Sequence, residues 1–152
     1  MVSAVRLQST KRFSNLPCAH RTHNHDGHCR FVHGYSRSFK FYFEAESLDA
    51  RGFVVDFSGL GALRAWLEHM FDHTLLISAS DPELGFFQDM DARGLCQLRV
   101  LPAVSMEGTA RFVYEHAQPM IHELSGGRAW IAELEVWEND KNSGRLLFSR
   151  PE

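Results

Sequence analysis

The sequence predicts an α+β domain in which an antiparallel sheet carries two helices on one face. Three observations lead there. Alternation of apolar and polar residues marks both ends of the chain, whereas helical spacing marks its middle. The resulting order is strand, strand, helix, helix, strand, strand, so two hairpins flank a helical insert. Finally, 152 residues with 44% hydrophobic and 23% charged side chains suffice for one core. Residues 1–152 read as a single domain without repeats, low-complexity tracts or linkers.

The first strand runs from about Val2 to Cys18 with weak alternation, and the polar stretch His20 to Cys29, containing Gly27, is a loop. From Phe31 to Glu44 the period of two returns, with Phe39, Phe41 and Phe43 on one face and Ser38, Lys40 and Tyr42 on the other. Ser47 to Gly52 is a turn, followed by a short extended piece from Phe53 to Val55. Asp56 and Ser58 are suitable N-caps for a helix with Leu60, Leu63, Leu67 and Met70 on one stripe. Asp81 to Gly94 reads as irregular, with one or two helical turns. A second helix spans about Met106 to Leu124, with Ala110, Val113, Ala117, Ile121 and Leu124 at helical spacing, and Gly126-Gly127 stops it. Arg128 to Glu138 and Arg145 to Phe148 are the last strands. A sheet of this kind leaves its edges open, which predicts self-association.

Composition narrows the function classes. No apolar run approaches the ~18 residues of a membrane span. Met1 to Asn15 lacks the apolar centre of a signal peptide. Three cysteines, Cys18, Cys29 and Cys96, make no disulfide framework, so the expectation is a reduced, cytoplasmic, enzyme-like domain. The net charge of −3 argues against nucleic acid as a partner. The charge is unevenly spread, however. Residues 1–40 hold seven Lys or Arg against Asp26 alone, and the rest holds nine bases against eighteen acids. A local basic region suits a small anionic ligand, and equally an ordinary solvated strand.

Five of the nine histidines, His20, His23, His25, His28 and His33, fall within fourteen residues on both sides of Cys29. Imidazole donors without a paired Cys-x-x-Cys suit a catalytic metal, which takes three protein ligands and keeps one position open. Strand parity puts His33 and Tyr35 on one face, and His20, closing the preceding strand, can meet them across the hairpin.

Those residues carry a resemblance. Cys18-Ala19-His20, then Cys29, then His33-Gly34-Tyr35, resembles the zinc signature of the 6-pyruvoyltetrahydropterin synthase family, whose bacterial branch contains 6-carboxytetrahydropterin synthase. Gly52-Phe53-Val54-Val55-Asp56-Phe57, Phe71-Asp72-His73 with Leu75, Ser105-Met106-Glu107 and Val136-Trp137-Glu138 follow in the family's order, so the resemblance runs from Phe13 to Glu138. It implies the tunnelling fold, in which subunits join their sheets into a barrel and build active sites between them. It further implies Zn2+, with His20 and His33 as ligands, Cys29 as catalytic thiol and Asp72 with His73 as its proton-relay partners. Glu138 would anchor the pterin ring, with Glu107 close by. The implied reaction converts 7,8-dihydroneopterin triphosphate to 6-carboxy-5,6,7,8-tetrahydropterin, releasing acetaldehyde and triphosphate, a step of queuosine biosynthesis. The motifs do not separate this from formation of 6-pyruvoyltetrahydropterin, and a non-catalytic pterin- or metal-binding paralogue is the reading from another class.

The chain departs from the family pattern at Tyr35, where the second histidine of His-Gly-His is expected. A phenol with a pKa near ~10 is a poorer ligand than imidazole. Tyr35 binds as a phenolate, or a loop histidine (His28 first, then His23 or His25) replaces it, or the metal is held weakly; a borderline N/O site also admits Fe2+, Co2+ or Mn2+. Val104-Ser105 stands where the family has Pro-Thr, so the helix start is open to shift. The residues support the implied roles on their own terms. A nearby cation lowers a thiol pKa, which suits Cys29 as a base, whereas Cys18 and Cys96 sit among apolar residues and read as inert. A carboxylate beside an imidazole, as in Asp72-His73, can orient it for acid–base work. Glu138 continues the parity of Trp130, Ala132, Leu134 and Val136, and a carboxylate on an apolar face can accept the paired N–H donors of a pterin, or simply end the strand in water. Arg21 and Arg37 flank the site as candidates for the triphosphate.

Overall fold

The computed structural model describes residues 5–152, so the expected strand start at Val2 lies outside the described residues. The first strand, β1 (Leu7–His20), pairs antiparallel with β2 (His33–Ala45), which pairs with β5 (Ala129–Trp137), which in turn pairs with β6 (Ser143–Leu147). These are the four strands read from the sequence. Phe39, Phe41 and Phe43 are fully buried, and β5 sets Val136 opposite Phe39 and Leu134 opposite Phe41. Burying each such side chain contributes about 1.5–3 kcal/mol, and α1 (Gly61–Phe71) and α3 (Met106–Ser125) close over the same face with Leu63, Leu67, Phe71, Ala110, Val113, Ala117 and Ile121.

The caps follow from the sequence with one displacement. Asp56 accepts the Ser58 N–H, but the turn it caps is a short 3-10 segment, Phe57–Gly59, and α1 begins only after Leu60. Ser105 caps α3 by accepting the Gly108 N–H at 3.0 Å, which keeps the helix start at Met106 without Pro-Thr. Gly126 ends α3 in the left-handed region at φ 63°, where glycine carries no Cβ penalty.

Between α1 and α3 the structure adds three elements: β3 (Thr74–Ser78), α2 (Leu84–Ala92) and β4 (Leu98–Leu101). The sheet order is β4-β3-β1-β2-β5-β6, with β3 parallel to both β1 and β4, so the antiparallel sheet gains a parallel flank. Every residue of β3 is buried, which erases the alternation by which a strand is read. Where one or two helical turns were expected, α2 runs nine residues and packs Phe87 with Leu75 and Ile77 in a second small core.

Bulges correct two parities. Between Phe13 and Leu16 the β1 register shifts, with Asn15 at φ 60°, and this returns Leu16, Cys18 and His20 to the buried side. In β5, Tyr42 opposes Glu133 while Phe43 opposes Ile131. The core face therefore reads Ala129, Ile131, Leu134, Val136, and Trp130 and Ala132 leave the face expected for them. The Gln118 carboxamide oxygen accepts the Ile131 N–H at 2.8 Å beside this bulge. No helix among the described residues is long and apolar enough to cross a membrane.

Phe41→Ala is expected to destabilise the fold by about 3–5 kcal/mol, and Leu147→Ala, at a residue 73% exposed, by no more than ~0.5 kcal/mol. Urea denaturation of both variants measures the contrast.

Candidate metal centre

The end of β1 and the start of β2 build the site. Their register sets His20 directly opposite His33, and the imidazole centroids lie 4.5 Å apart. Gly34 permits this approach: a Cβ there would stand 2.4 Å from the Cys18 carbonyl oxygen. His20 is buried, and its Nδ1 has no hydrogen-bond partner among the described residues.

Glu138 follows β5 on the face of Val136 and arrives beside both rings. Its Oε1 lies 3.6 Å from His20 Nε2 and 3.9 Å from His33 Nε2, beyond hydrogen-bonding distance in both cases. His33 Nδ1 lies 2.7 Å from the Phe31 carbonyl oxygen. A carbonyl only accepts, so Nδ1 carries the proton, and in the neutral ring Nε2 turns a lone pair toward Glu138. Burial, Arg37 and His33 together push the His20 imidazole down to about 3, so it stays unprotonated near neutrality. Ligand atoms of His20, His33 and Glu138 all lie within 4.8 Å of one another. Two donors on one tetrahedral ion with bonds of ~2.0–2.1 Å stand roughly 3.3 Å apart, so a small contraction seats a divalent ion. The donor set, two imidazoles and a carboxylate, fits one.

The other expected site residues do not join the cluster. His28 and Cys29 sit in the 3-10 turn His28–Arg30, with His28 exposed near the Phe31 ring and Cys29 half-buried. The Cys29 carbonyl accepts the Thr22 N–H at 2.7 Å and closes the loop. Tyr35 is 46% exposed, its ring edge-on to His33 at 6.0 Å. Asp72 and His73 form a pair of their own at the end of α1, with Oδ1 2.6 Å from Nδ1 and the imidazole 79% exposed. His73 holds φ 58°, pinned by its N–H to the Pro17 carbonyl and by Gln97 donating to its own carbonyl. Glu107, exposed in the first turn of α3, lies against Gly144 of β6.

Both arginines expected to face the triphosphate are otherwise engaged. Arg21 donates through Nε and Nη2 to buried Asp81 at 2.7 and 2.6 Å and holds that carboxyl below its usual range. Arg37 is 1% exposed and donates to Thr109 Oγ1 at 2.8 Å and to the Val104 carbonyl at 3.0 Å. Burial lowers its pKa, against which the charge of Glu138 acts. Arg37 shares the strand parity of Phe39, a signal for a buried role that the charge-based expectation passed over. Burial pushes the Cys18 thiol up to about 11, in keeping with an inert thiol.

The family model described as 6-pyruvoyl tetrahydropterin synthase matches residues 9–146. Curated proteins named 6-carboxy-5,6,7,8-tetrahydropterin synthase, from Rickettsia bellii and Rickettsia conorii, are each 30% identical to this chain over 80 residues, 52% of it. The chain spans 57% of the length of those relatives. Among solved structures, an uncharacterized protein from Wolinella succinogenes has a TM-score of 0.82 at 20% identity, covering 96% of this chain and 100% of that one. The 6-pyruvoyl tetrahydropterin synthase of Caenorhabditis elegans has a TM-score of 0.66 at 19% identity, covering 98% and 100%. Both likenesses are likenesses of fold.

Two measurements probe the geometry. Gly34→Ala is expected to force β1 and β2 apart and to cost about 1–3 kcal/mol, read as a lower melting temperature. The folded chain keeps His20 unprotonated down to about 3, whereas the unfolded chain protonates it near the ordinary 6.5. Metal-free protein therefore keeps this contribution above pH 6.5 and loses it as pH falls from 6.5 toward 3. Urea titrations across that window should show the decline, and His20→Gln should lack it.

Proposed function

The chain belongs to the 6-pyruvoyl tetrahydropterin synthase family, and we propose that it is a metal-dependent pterin synthase of the 6-carboxytetrahydropterin kind. Its substrates in this reading are 7,8-dihydroneopterin triphosphate and water, and its products are 6-carboxy-5,6,7,8-tetrahydropterin, acetaldehyde and triphosphate. The observation that carries the reading is the convergence of His20, His33 and Glu138, on motifs that follow the family's order. The curated relatives named 6-carboxy-5,6,7,8-tetrahydropterin synthase support this choice of product. We place the product in queuosine synthesis and the protein in the reducing cytoplasm, with residues 1–152 working as one domain.

His20 and His33 hold the ion, zinc in this reading, with a third donor from the same chain. When bound, a divalent ion polarises hydroxyl oxygens on the substrate side chain and stabilises negative charge developing there. Cys29 acts as the base that takes a proton from carbon beside those hydroxyls. Asp72 orients His73 through their 2.6 Å contact, and the imidazole carries the proton onward. Glu138 is the carboxylate that accepts from the N–H donors of the pterin ring, with Glu107 close to the same pocket. The exposure of His73 on the single chain suits a site completed across a subunit boundary, so the working form is a homo-oligomer.

Mass spectrometry of products from zinc-loaded protein tests the reaction. Formation of 6-carboxytetrahydropterin with acetaldehyde is expected. A 6-pyruvoyl product assigns the sister reaction, and unchanged substrate favours a binding role. Cys29→Ala should fold and bind pterin while turnover falls at least ~100-fold; full activity in that variant removes the mechanism.

A further inference from the structure

We infer that Glu138 is the third protein ligand of the metal, taking the place that Tyr35 leaves vacant in the His-Gly-Tyr sequence. This deepens the proposed function and rests on it only for the identity of the substrate.

At least two acceptors, His33 Nε2 and Glu138 Oε1, converge here beside His20 Nε2. His33 has spent its Nδ1 proton on the Phe31 carbonyl, so its Nε2 and the Glu138 Oε1 present lone pairs to each other at 3.9 Å. His20 Nε2 stands 3.6 Å from the same oxygen. An ordinary histidine–carboxylate hydrogen bond draws the two atoms to about 2.7–2.9 Å, and neither contact is that short. Acceptors gathered at this spacing around a mostly buried point are complementary to a cation of small radius with bonds near ~2 Å. Tyr35 is placed differently. Its side chain is 46% exposed, and its ring stands edge-on to His33. His28 is likewise exposed, on the 3-10 turn. Glu138 is the remaining donor that the fold itself delivers: β5 ends at Trp137, opposite Ser38, and the carboxylate of the residue that follows reaches both imidazoles.

Two imidazoles and a glutamate make a three-ligand set with open positions, as catalytic zinc and ferrous centres use. Glu138 makes both approaches to the imidazoles through the same oxygen, Oε1. Its second oxygen stays available to accept a pterin N–H, so one carboxylate can tie the ring to the metal.

Calorimetric titration of the chelator-stripped full chain with Zn2+ and with Co2+ tests this, alongside the visible bands of bound Co2+. One ion per chain is expected. Tyr35→Phe should bind within about threefold of the parent, whereas Glu138→Gln should bind at least ~100-fold more weakly, the upper end of what outer-shell partners cost. Circular dichroism of the metal-free variants establishes that they fold. Should Glu138→Gln fail to fold, Glu138→His decides: one bound ion with shifted cobalt bands supports the assignment, and unshifted bands overturn it. Undiminished affinity in Glu138→Gln, or loss of binding in Tyr35→Phe, also overturns it. Absent turnover with this metal-binding pattern intact would sink the pterin reading and leave the ligand assignment standing. Turnover with affinity indifferent to Glu138 would do the reverse.

Discussion

The pairing of β1 with β2 at His20 and His33 is the constraint from which the site descends. Side chains directly opposite on an antiparallel pair share a face and lie within contact distance, so this one register brings two imidazoles to 4.5 Å. It holds because Gly34 admits the Cys18 carbonyl where any side chain would collide. It also depends on the Phe13–Leu16 bulge, since without that extra residue His20 would face the other side of the sheet. Two of the remaining histidines in the loop between the strands serve local purposes: His25 Nδ1 accepts the Gly27 N–H, and His23 meets Ser80.

A second dependence runs through Arg37. A buried guanidinium is costly unless its donors are satisfied, and here Thr109 and the Val104 carbonyl take both Nη groups while Nε has no partner among the described residues. Those partners flank the start of α3, so the bonds fix the helix, and Glu107 with it, against the strand that carries His33. The same positive charge helps to keep His20 unprotonated. One residue thus couples the position of the helix to the electrostatics of the centre.

How far the sequence discloses this depends on whether each feature leaves a periodic trace. Phe39, Phe41 and Phe43 alternate and were legible, as were the helical stripes of α1 and α3 and the meeting of His20 with His33. The strand β3 was not legible, because a five-residue segment buried throughout has no polar face to alternate with. The β5 bulge was hidden for another reason: nothing in Trp130-Ile131-Ala132 announces an extra residue, so parity counted from Glu138 holds back to Leu134 and fails beyond it. The face of Glu138 was readable, but its nearness to the imidazoles needed the cross-strand register. Arg21 and Arg37 show the limit of charge counting, since their partners lie 60 and 72 residues away.

Tyr35, Arg37 and Glu138 make sense as a group. A third imidazole at position 35 would bring a neutral donor from β2, whereas a carboxylate brought from β5 carries a negative charge into a space shared with buried His20. Arg37, on the same face of β2 two residues after Tyr35, places a buried positive charge whose field acts on Glu138. The carboxylate therefore has a counter-charge before any ion binds, and the guanidinium has a reason beyond its two hydrogen bonds to be buried there. A phenol can stand at position 35, edge-on and half in solvent, because the donor it does not supply comes from another strand. On this account the departure from His-Gly-His leaves a centre with its third donor moved across the sheet.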